Sequence, residues 1–279
     1  MTQSNMQITP NAGVGAFVSG IDLKALDERS LGDLRQAFAE YSVLFFRDQL
    51  LDETQHIALA EQWGEINVNR FFAAVENFPK IAQVLKEPEQ TTNIGGGWHT
   101  DHSYDQIPAL GSMLYAKETP PLGGDTLFAS TCAAYDALSE GLKEMLSSLT
   151  AVHSSRHVFG AQAAQPADVS GRLGNAAAAT QDAIHPVVIT HPLSGRKSLY
   201  VNPGFTLGFE GWSAEESAPL LNYLYQHVGR PEFCYRLQWR PGTLAFWDNR
   251  ATWHWAINDY QGQRRLMHRI TLEGVPVAA

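Results

Sequence analysis

The sequence is poor in cysteine and contains no long hydrophobic run, and both absences exclude classes of protein. Two cysteines, Cys132 and Cys234, cannot form a disulfide framework, and they do not share the CxxC spacing of redox or zinc sites. We expect both to be buried free thiols. No stretch approaches the roughly 18 uninterrupted apolar residues of a transmembrane helix. Residues 1–20 carry neither basic side chains nor the apolar run of a secretory signal, so a soluble, cytoplasmic protein is expected.

Lysine is also scarce, with 6 lysines against 14 arginines, and acidic residues outnumber basic ones by 29 to 20. The net charge of −9 gives no sequence-wide footprint for nucleic acid or an anionic membrane, so neither is an expected partner. Arginine is the residue best suited to hold a carboxylate between two parallel hydrogen bonds. Well-placed arginines can therefore bind small anions in an acidic protein, although an arginine-rich genome would give the same ratio.

The 279 residues are 44% hydrophobic and 18% charged, which is typical of a chain that folds around a large core. Apolar residues at helical spacing predict helices over 31–41, 53–63, 133–149 and 213–228, the last opened by a capping box at Ser213. Short runs of β-formers predict strands over 14–21, 43–46, 110–116, 126–128, 187–190, 198–201, 233–239, 243–247 and 265–272. This order favours a mixed, β-rich fold with one sandwich or barrel core and flanking helices.

A stretch at about 160–182 carries alanine, glutamine, glycine and serine without a usable period. We predict that it is a mobile helical or loop insertion at the surface. Because no internal repeat or linker divides the chain, residues 1–279 are predicted to form a single domain.

The sharpest local signal is His99-Thr100-Asp101. In an extended segment the side chains of residues i and i+2 point to the same face, so the imidazole and the carboxylate converge. One further histidine would complete a two-histidine, one-carboxylate set, which suits non-haem Fe(II). Alone the pattern is weak, since it also describes a surface histidine beside a solvated aspartate. Structural roles explain several other histidines equally well, namely His56, His102, His185, His191 and His227.

The segment near the C-terminus supplies context for this motif. An aromatic run ends in His254, and a strand follows in which Arg265 and Arg269 share one face. Two arginines beside an aromatic-walled histidine would form a pocket for a dicarboxylate or for two small anions. The alternative is an exposed strand face with solvated charges, which is our interpretation for Arg264.

With these motifs the chain resembles the taurine dioxygenase and phenoxy-herbicide dioxygenase family of Fe(II)- and 2-oxoglutarate-dependent oxygenases. The matching segments occur in family order and at family spacing: 98–101 (WHTD), 123–126 (GGDT), 191–202, 247–250 (WDNR) with His254, and 264–269 (RRLMHR). They cover most of the chain, and their combination is highly specific although each segment alone is not.

The resemblance implies a double-stranded β-helix, or jelly roll, with His99, Asp101 and His254 as the iron ligands. Thr126 and Arg265 match the positions that hold the co-substrate 2-oxoglutarate. The implied reaction uses O2 to hydroxylate an unactivated C–H bond and gives succinate and CO2, and the product can collapse to a cleaved one. The family further implies a homo-oligomer, a dimer or a tetramer.

The sequence differs from the taurine enzymes at positions that match their substrate-binding residues. Asn69 and Phe72 stand where those enzymes place a histidine and a tyrosine, and Gly95 replaces an asparagine. Arg269 matches the arginine that meets the substrate anion, and Phe159 matches an apolar wall residue. We therefore predict an anionic substrate with a larger apolar portion than taurine: an aryloxyalkanoate, an alkyl sulfate or a longer sulfonate.

Two alternatives stay open at this point: a taurine dioxygenase proper, and a non-oxygenase metal-binding protein on the same jelly roll. His153, Arg156 and His157 either line the entrance of the site or cap a helix end.

Overall fold

The computed structural model describes residues 6–164, 166–169 and 171–279, and within them the chain forms short helices and many strands. The strands are β1 (Gln7–Pro10), β2 (Ala16–Ser19), β3 (Val43–Phe46), β4 (Ile66–Asn67), β5 (Ala74–Val75), β6 (Phe78–Lys86), β7 (Gly111–Glu118), β8 (Thr126–Ser130), β9 (Thr150–Ser154), β10 (Asp182–Pro186), β11 (Val188–Thr190), β12 (Lys197–Leu199), β13 (Thr206–Phe209), β14 (Cys234–Leu237), β15 (Leu244–Asp248), β16 (Thr252–Ala256) and β17 (Arg265–Leu272). The α-helices are α1 (Glu28–Tyr41), α2 (Glu53–Glu61), α3 (Thr131–Asp136), α4 (Glu140–Ser147), α5 (Arg156–Phe159) and α6 (Ala214–Val228).

A nine-stranded sheet forms the main layer, in the order β1-β2-β3-β15-β7-β17-β6-β5, with β4 paired to β17. The β2–β3 pair is parallel, and the other pairs are antiparallel. All four side chains of β3 are buried, as expected for a strand covered on both faces. The predicted bounds of β3 and β17 are confirmed.

A three-stranded sheet, β14-β8-β16, faces the main sheet. Their shared core is a single hydrophobic cluster that joins Phe128 and Leu237 of the small sheet to Phe45, Trp247 and Met267 of the large one. Two sheets that bury their inner faces against each other form a sandwich. The predicted β-rich core is confirmed.

Helices α1 and α2 cover the outer face of the main sheet. Leu34 and Phe38 of α1 and Leu59 of α2 pack with Phe246 and Ile270 from the sheet, and the rings of Phe38 and Phe246 are stacked with centroids 4.1 Å apart. Both helices begin at a capping aspartate, and the one that opens α2 belongs to a complete capping box.

The helix predicted over 133–149 is wrong as a single element, because the structure has two helices there. Ser130 caps α3, and Ser139 accepts a hydrogen bond from the Leu142 amide and caps α4. A serine side chain competes for backbone donors in mid-helix and is favoured at an N-cap, so it starts a new helix with a new direction. These helices and α6 pack around Trp253 and the small sheets β10-β9-β13 and β11-β12.

The predicted insertion at about 160–182 includes Gln165 and Ser170, which lie outside the described residues. The described part contains two short 3-10 helices and contributes Val169 and Ala179 to buried positions. Its mobility stays a prediction, as does the single-domain organisation of residues 1–279.

Two further expectations concern the membrane and the cysteines. No helix in the described part of the chain is long and apolar enough to cross a membrane. Both thiols are free, as predicted, but the predicted burial is confirmed only for Cys132, because Cys234 is half-buried.

His56 makes the stability of this fold depend on pH. The side chain is buried in α2, and neither ring nitrogen has a hydrogen-bond partner. Burial, with the nearby His268 and Lys117, lowers its pKa from 6.5 to about 3. The unfolded chain therefore binds the proton more tightly than the folded one between these two values. The stability that depends on neutral His56 is complete above pH 6.5 and is lost progressively as the pH falls toward 3.

We expect His56→Leu to reduce the acid sensitivity of the protein by about 1.4 kcal/mol per pH unit between pH 6 and pH 4. The measurement is urea unfolding of metal-free protein across this range, with the exposed His157 changed to leucine as the matched control. An unchanged slope in His56→Leu would contradict the assignment.

Candidate metal centre

Two histidines that are distant in sequence meet through their backbones. The His99 amide donates to the His254 carbonyl at 3.1 Å, and the His254 amide donates to the His99 carbonyl at 2.8 Å. This bridge continues the edge of β16, whose alternation places His254 on the inner face. The two imidazole rings lie 4.0 Å apart as a result.

Asp101 completes the cluster: it follows His99 by two residues, at the start of a turn, and its carboxylate lies near both rings. Its Oδ1 lies 3.9 Å from His99 Nε2, and its Oδ2 lies 3.7 Å from His254 Nε2. Within the described residues this is the one group of three or more potential metal ligands, with ligand atoms within 4.8 Å of one another. The structure thus brings together His99 and Asp101, whose convergence the sequence predicts, and His254, which the family resemblance implies.

The protonation states of the cluster favour a cation. Burial alone would raise the pKa of Asp101, but the Arg269 guanidinium, followed by His254, outweighs it and holds that pKa well below its usual range. Burial and the neighbouring His99 lower the pKa of His254 well below its ordinary value. The set therefore offers one carboxylate and a neutral imidazole, which are the forms that ligate metals.

The orientation of His99 is fixed by its neighbours. Its Nδ1 lies 2.8 Å from the Gly97 carbonyl, which can only accept, so Nδ1 carries a hydrogen and Nε2 faces the cluster. Gly204 packs against the other side, where an added Cβ would lie 2.7 Å from His99 Cβ. Sequence reasoning missed Gly204, since only the close backbone approach reveals its role.

The cluster opens into a cavity of about 500 Å³, which we call the central cavity. Its polar walls include the three cluster residues, Thr126, Arg265 and Arg269. Its apolar walls include Phe72, Val84, Ile94, Leu114, Val158, Phe159, Val169, Leu173, Phe205 and Trp247. A concave, mostly apolar site with a few convergent polar groups is typical of small-molecule binding.

Arg265 is a buried cation in the wall of this cavity, with 4% of its surface exposed. Its Nε donates to the Gly124 carbonyl at 3.1 Å, while its Nη2 is buried without a hydrogen-bond partner. No carboxylate of the described chain lies within ion-pair distance of it. A buried positive charge without a counter-charge is unfavourable, and an anionic ligand in the cavity would stabilise it.

Arg269 is the second buried arginine of the wall. Its Nη1 lies 3.2 Å from Asp101 Oδ2, and its Nε has no partner. Its guanidinium carbon lies 4.4 Å from the centroid of the Phe72 ring. The structure thus brings Arg265, Arg269, Phe72 and Phe159 to the same cavity, as the sequence predicts.

Asn69 is a predicted site residue that the structure places elsewhere. It does not line the central cavity. Its Oδ1 accepts hydrogen bonds at 2.9 Å from the amides of Phe71 and Phe72, so the side chain stabilises the turn that presents Phe72. Asn69 was predicted to contact the substrate. In the structure its side chain instead stabilises this turn.

Gly95 has a conformational reason to be glycine. Its φ is +80°, and an added Cβ would lie 3.1 Å from the His99 ring. A side chain at this position would press on the His99 imidazole, so backbone atoms form the cavity wall at Gly95.

Residues from the stretch predicted as an insertion form part of the wall of the central cavity. Asp168 Oδ2 accepts hydrogen bonds at 2.7 Å from the amides of Thr91 and Thr92, and these backbone donors lower its pKa to about 2. Arg172 donates to the Thr92 carbonyl at 2.7 Å. These contacts connect two cavity-lining segments.

Of the residues whose role the sequence left open, His157 lines the cavity, with Nε2 2.9 Å from the Gly204 carbonyl. Arg156 pairs with Asp182 at the surface. His153 is buried, with Nδ1 3.1 Å from Ser103 Oγ, and does not line the cavity.

Comparison with known proteins identifies relatives over the full length of the chain. A family model described as the taurine catabolism dioxygenase TauD, TfdA family matches residues 5–271. An alkylsulfatase of Acinetobacter baylyi is 37% identical over 94% of this chain and 82% of that protein. An α-ketoglutarate-dependent sulfate ester dioxygenase of Pseudomonas putida is 34% identical over 98% of this chain and 91% of that protein. A crystal structure of a taurine dioxygenase from Burkholderia xenovorans superposes with a TM-score of 0.81 at 33% identity, covering 96% of this chain and 91% of that one.

We expect Gly204→Ala to weaken divalent metal binding about tenfold or more, because the new methyl group displaces His99 from the cluster. Calorimetric titration of the metal-free protein with Mn(II) measures the change. Gly97→Ala is the matched control, since an added Cβ there meets nothing within 4 Å. Equal affinities in Gly204→Ala and the unchanged protein would contradict the role of this contact.

Proposed function

Because this chain belongs to the taurine catabolism dioxygenase TauD, TfdA family, it is a 2-oxoglutarate-dependent dioxygenase, and we propose that it hydroxylates a small organic anion with a large apolar portion. Its cofactors are Fe(II), 2-oxoglutarate and O2. The jelly-roll fold follows from the match to a taurine dioxygenase structure. The proposed substrate classes are aryloxyalkanoates, alkyl sulfates and longer sulfonates.

We assign the iron to His99, Asp101 and His254. Two imidazoles and one carboxylate would suit Fe(II), and three protein ligands would leave coordination positions open for co-substrates. Bound Fe(II) and 2-oxoglutarate supply the activation of O2 that hydroxylates a C–H bond, with release of succinate and CO2. The protein contributes binding, orientation and the exclusion of water.

We assign 2-oxoglutarate to the side of the cavity formed by Thr126 and Arg265. The single observation that carries this assignment is the buried Arg265 guanidinium, which has no carboxylate partner in the described part of the chain and leaves Nη2 unpaired in the wall of the cavity that holds the His-Asp-His cluster. A carboxylate of the oxoacid would neutralise that charge through a two-pronged hydrogen bond. The rest of the molecule would then extend toward the metal ligands.

We assign the anionic group of the substrate to Arg269. Its Nε is unpartnered, and its guanidinium is held between the Phe72 ring and the Asp101 carboxylate. The apolar body of the substrate would then contact Phe159 and the other aromatic and aliphatic wall residues. Two relatives with names that refer to sulfate esters or alkyl sulfates support this choice of chemistry.

The apolar walls weigh against taurine itself. Phe72 provides no hydroxyl group, Gly95 provides no amide, and Asn69 is engaged in a turn. A short aminosulfonate would leave much of a 500 Å³ cavity unfilled and its amine without a partner from these positions. We further propose a homo-oligomer, as the family resemblance implies.

We expect substrate-dependent succinate release with aryloxyalkanoates, alkyl sulfates or sulfonates longer than taurine, and little release with taurine. Arg269→Gln should lower kcat/KM for the active anion about tenfold or more, since a hydrogen bond to a charged group is lost. Metal content of the variant is the control. Robust turnover of taurine with none of the larger anions would contradict the proposal.

A further inference from the structure

Trp239 lies behind the central cavity and contacts both residues assigned to 2-oxoglutarate. Its Nε1 donates to Thr126 Oγ1 at 2.9 Å, and the Arg265 guanidinium carbon lies 5.7 Å from its ring centroid. The side chain is buried, with 6% of its surface exposed, and does not itself line the cavity.

The hydrogen bond from Trp239 determines what Thr126 can do. An indole N–H can only donate, so the Thr126 hydroxyl must accept this bond and keeps its own hydrogen for another partner. Within the described chain no acceptor is assigned to that hydrogen, and Thr126 faces the cavity. The Thr126 hydroxyl already accepts one hydrogen bond, and its own hydrogen stays free to be donated to the ligand.

The same indole supports Arg265. The guanidinium is fixed on one side by the Gly124 carbonyl and rests over the indole at cation–π distance, which leaves Nη2 without a protein partner. Gly124 has φ +69°, and an added Cβ would lie 3.3 Å from Arg265 Cδ. The Gly124 backbone therefore packs closely against the Arg265 side chain.

The local fold explains why one side chain reaches both residues. Leu237 of β14 pairs with Thr126 of β8, and Trp239 follows two positions later with its side chain in the same hydrophobic cluster as Leu237. A tryptophan buried only for packing commonly donates to a backbone carbonyl, as Trp253 does to Val201 at 3.0 Å. Trp239 instead donates to a side chain in the cavity wall.

We propose that Trp239 is a positioning residue for the oxoacid: it orients the Thr126 hydroxyl as a hydrogen-bond donor and supports the Arg265 guanidinium. This inference rests on the proposed function, which places 2-oxoglutarate against Thr126 and Arg265. It adds that the indole N–H, through Thr126, sets part of the affinity for the oxoacid.

The test is the affinity of Mn(II)-loaded protein for 2-oxoglutarate, measured by calorimetry without O2, so that no turnover is needed. Trp239→Phe keeps a ring beneath Arg265 and removes the N–H, and we expect the Kd to rise about fivefold. Thr126→Val should raise it at least as much. In the Thr126→Val background, Trp239→Phe should cause no further weakening, because both changes remove the same interaction.

Trp253→Phe is the matched control, since it removes a buried indole hydrogen bond that does not reach the cavity, and its Kd should be unchanged. Wild-type binding in Trp239→Phe, or additive effects in the double variant, would overturn this inference and leave the proposed function standing. If Trp239→Phe fails to fold, Thr126→Val decides alone: wild-type affinity there means that Thr126 donates nothing. No binding by the unchanged protein would overturn the proposed function and this inference together.

Discussion

The structure depends on one pair of backbone hydrogen bonds, in which His99 and His254 donate to each other's carbonyls. The two residues belong to segments far apart in sequence, and the bridge places their imidazoles side by side beside the cavity. A reciprocal backbone pair tolerates little relative movement, so the ligand geometry is set by the sheet rather than by flexible side chains. Asp101, two residues after His99, belongs to the same cluster.

The protein is acidic overall, but positive charge is concentrated in the wall of the central cavity. The net charge of −9 gives no indication of anion binding, yet two buried arginines of β17 lie in the wall of the central cavity. Among the described residues Arg265 has no carboxylate partner, whereas Arg269 pairs with the Asp101 carboxylate. In the proposed function each arginine therefore has a separate task, Arg265 toward the co-substrate and Arg269 toward the substrate.

Much of this arrangement could be predicted from sequence, because period-2 alternation places Arg265 and Arg269 on one face of a strand. The same reasoning brings together His99 and Asp101. Alternation cannot reveal contacts that depend on tertiary distance, such as the close approach of Gly204 to His99. It also gives no sign of β6, in which buried and half-buried residues do not alternate.

The other differences between the sequence predictions and the structure come from polar side chains that form hydrogen bonds with the backbone. Asn69 was expected at the substrate and instead stabilises a turn, and Ser139 divides a helix that apolar spacing predicts as continuous. In the sequence, Trp239 is only the last residue of the strand predicted over 233–239. Its hydrogen bond to Thr126 could not be foreseen, because the partner belongs to a neighbouring strand.

The most direct test of the central claim is the visible absorption of Fe(II)-loaded protein when 2-oxoglutarate is added without O2. If Arg265 binds 2-oxoglutarate beside the iron, we expect an iron-dependent band in the unchanged protein. The band should be lost in Arg265→Ala at the same oxoacid concentration, with iron still bound. A band of equal strength in Arg265→Ala, or no band in iron-loaded unchanged protein, would contradict it.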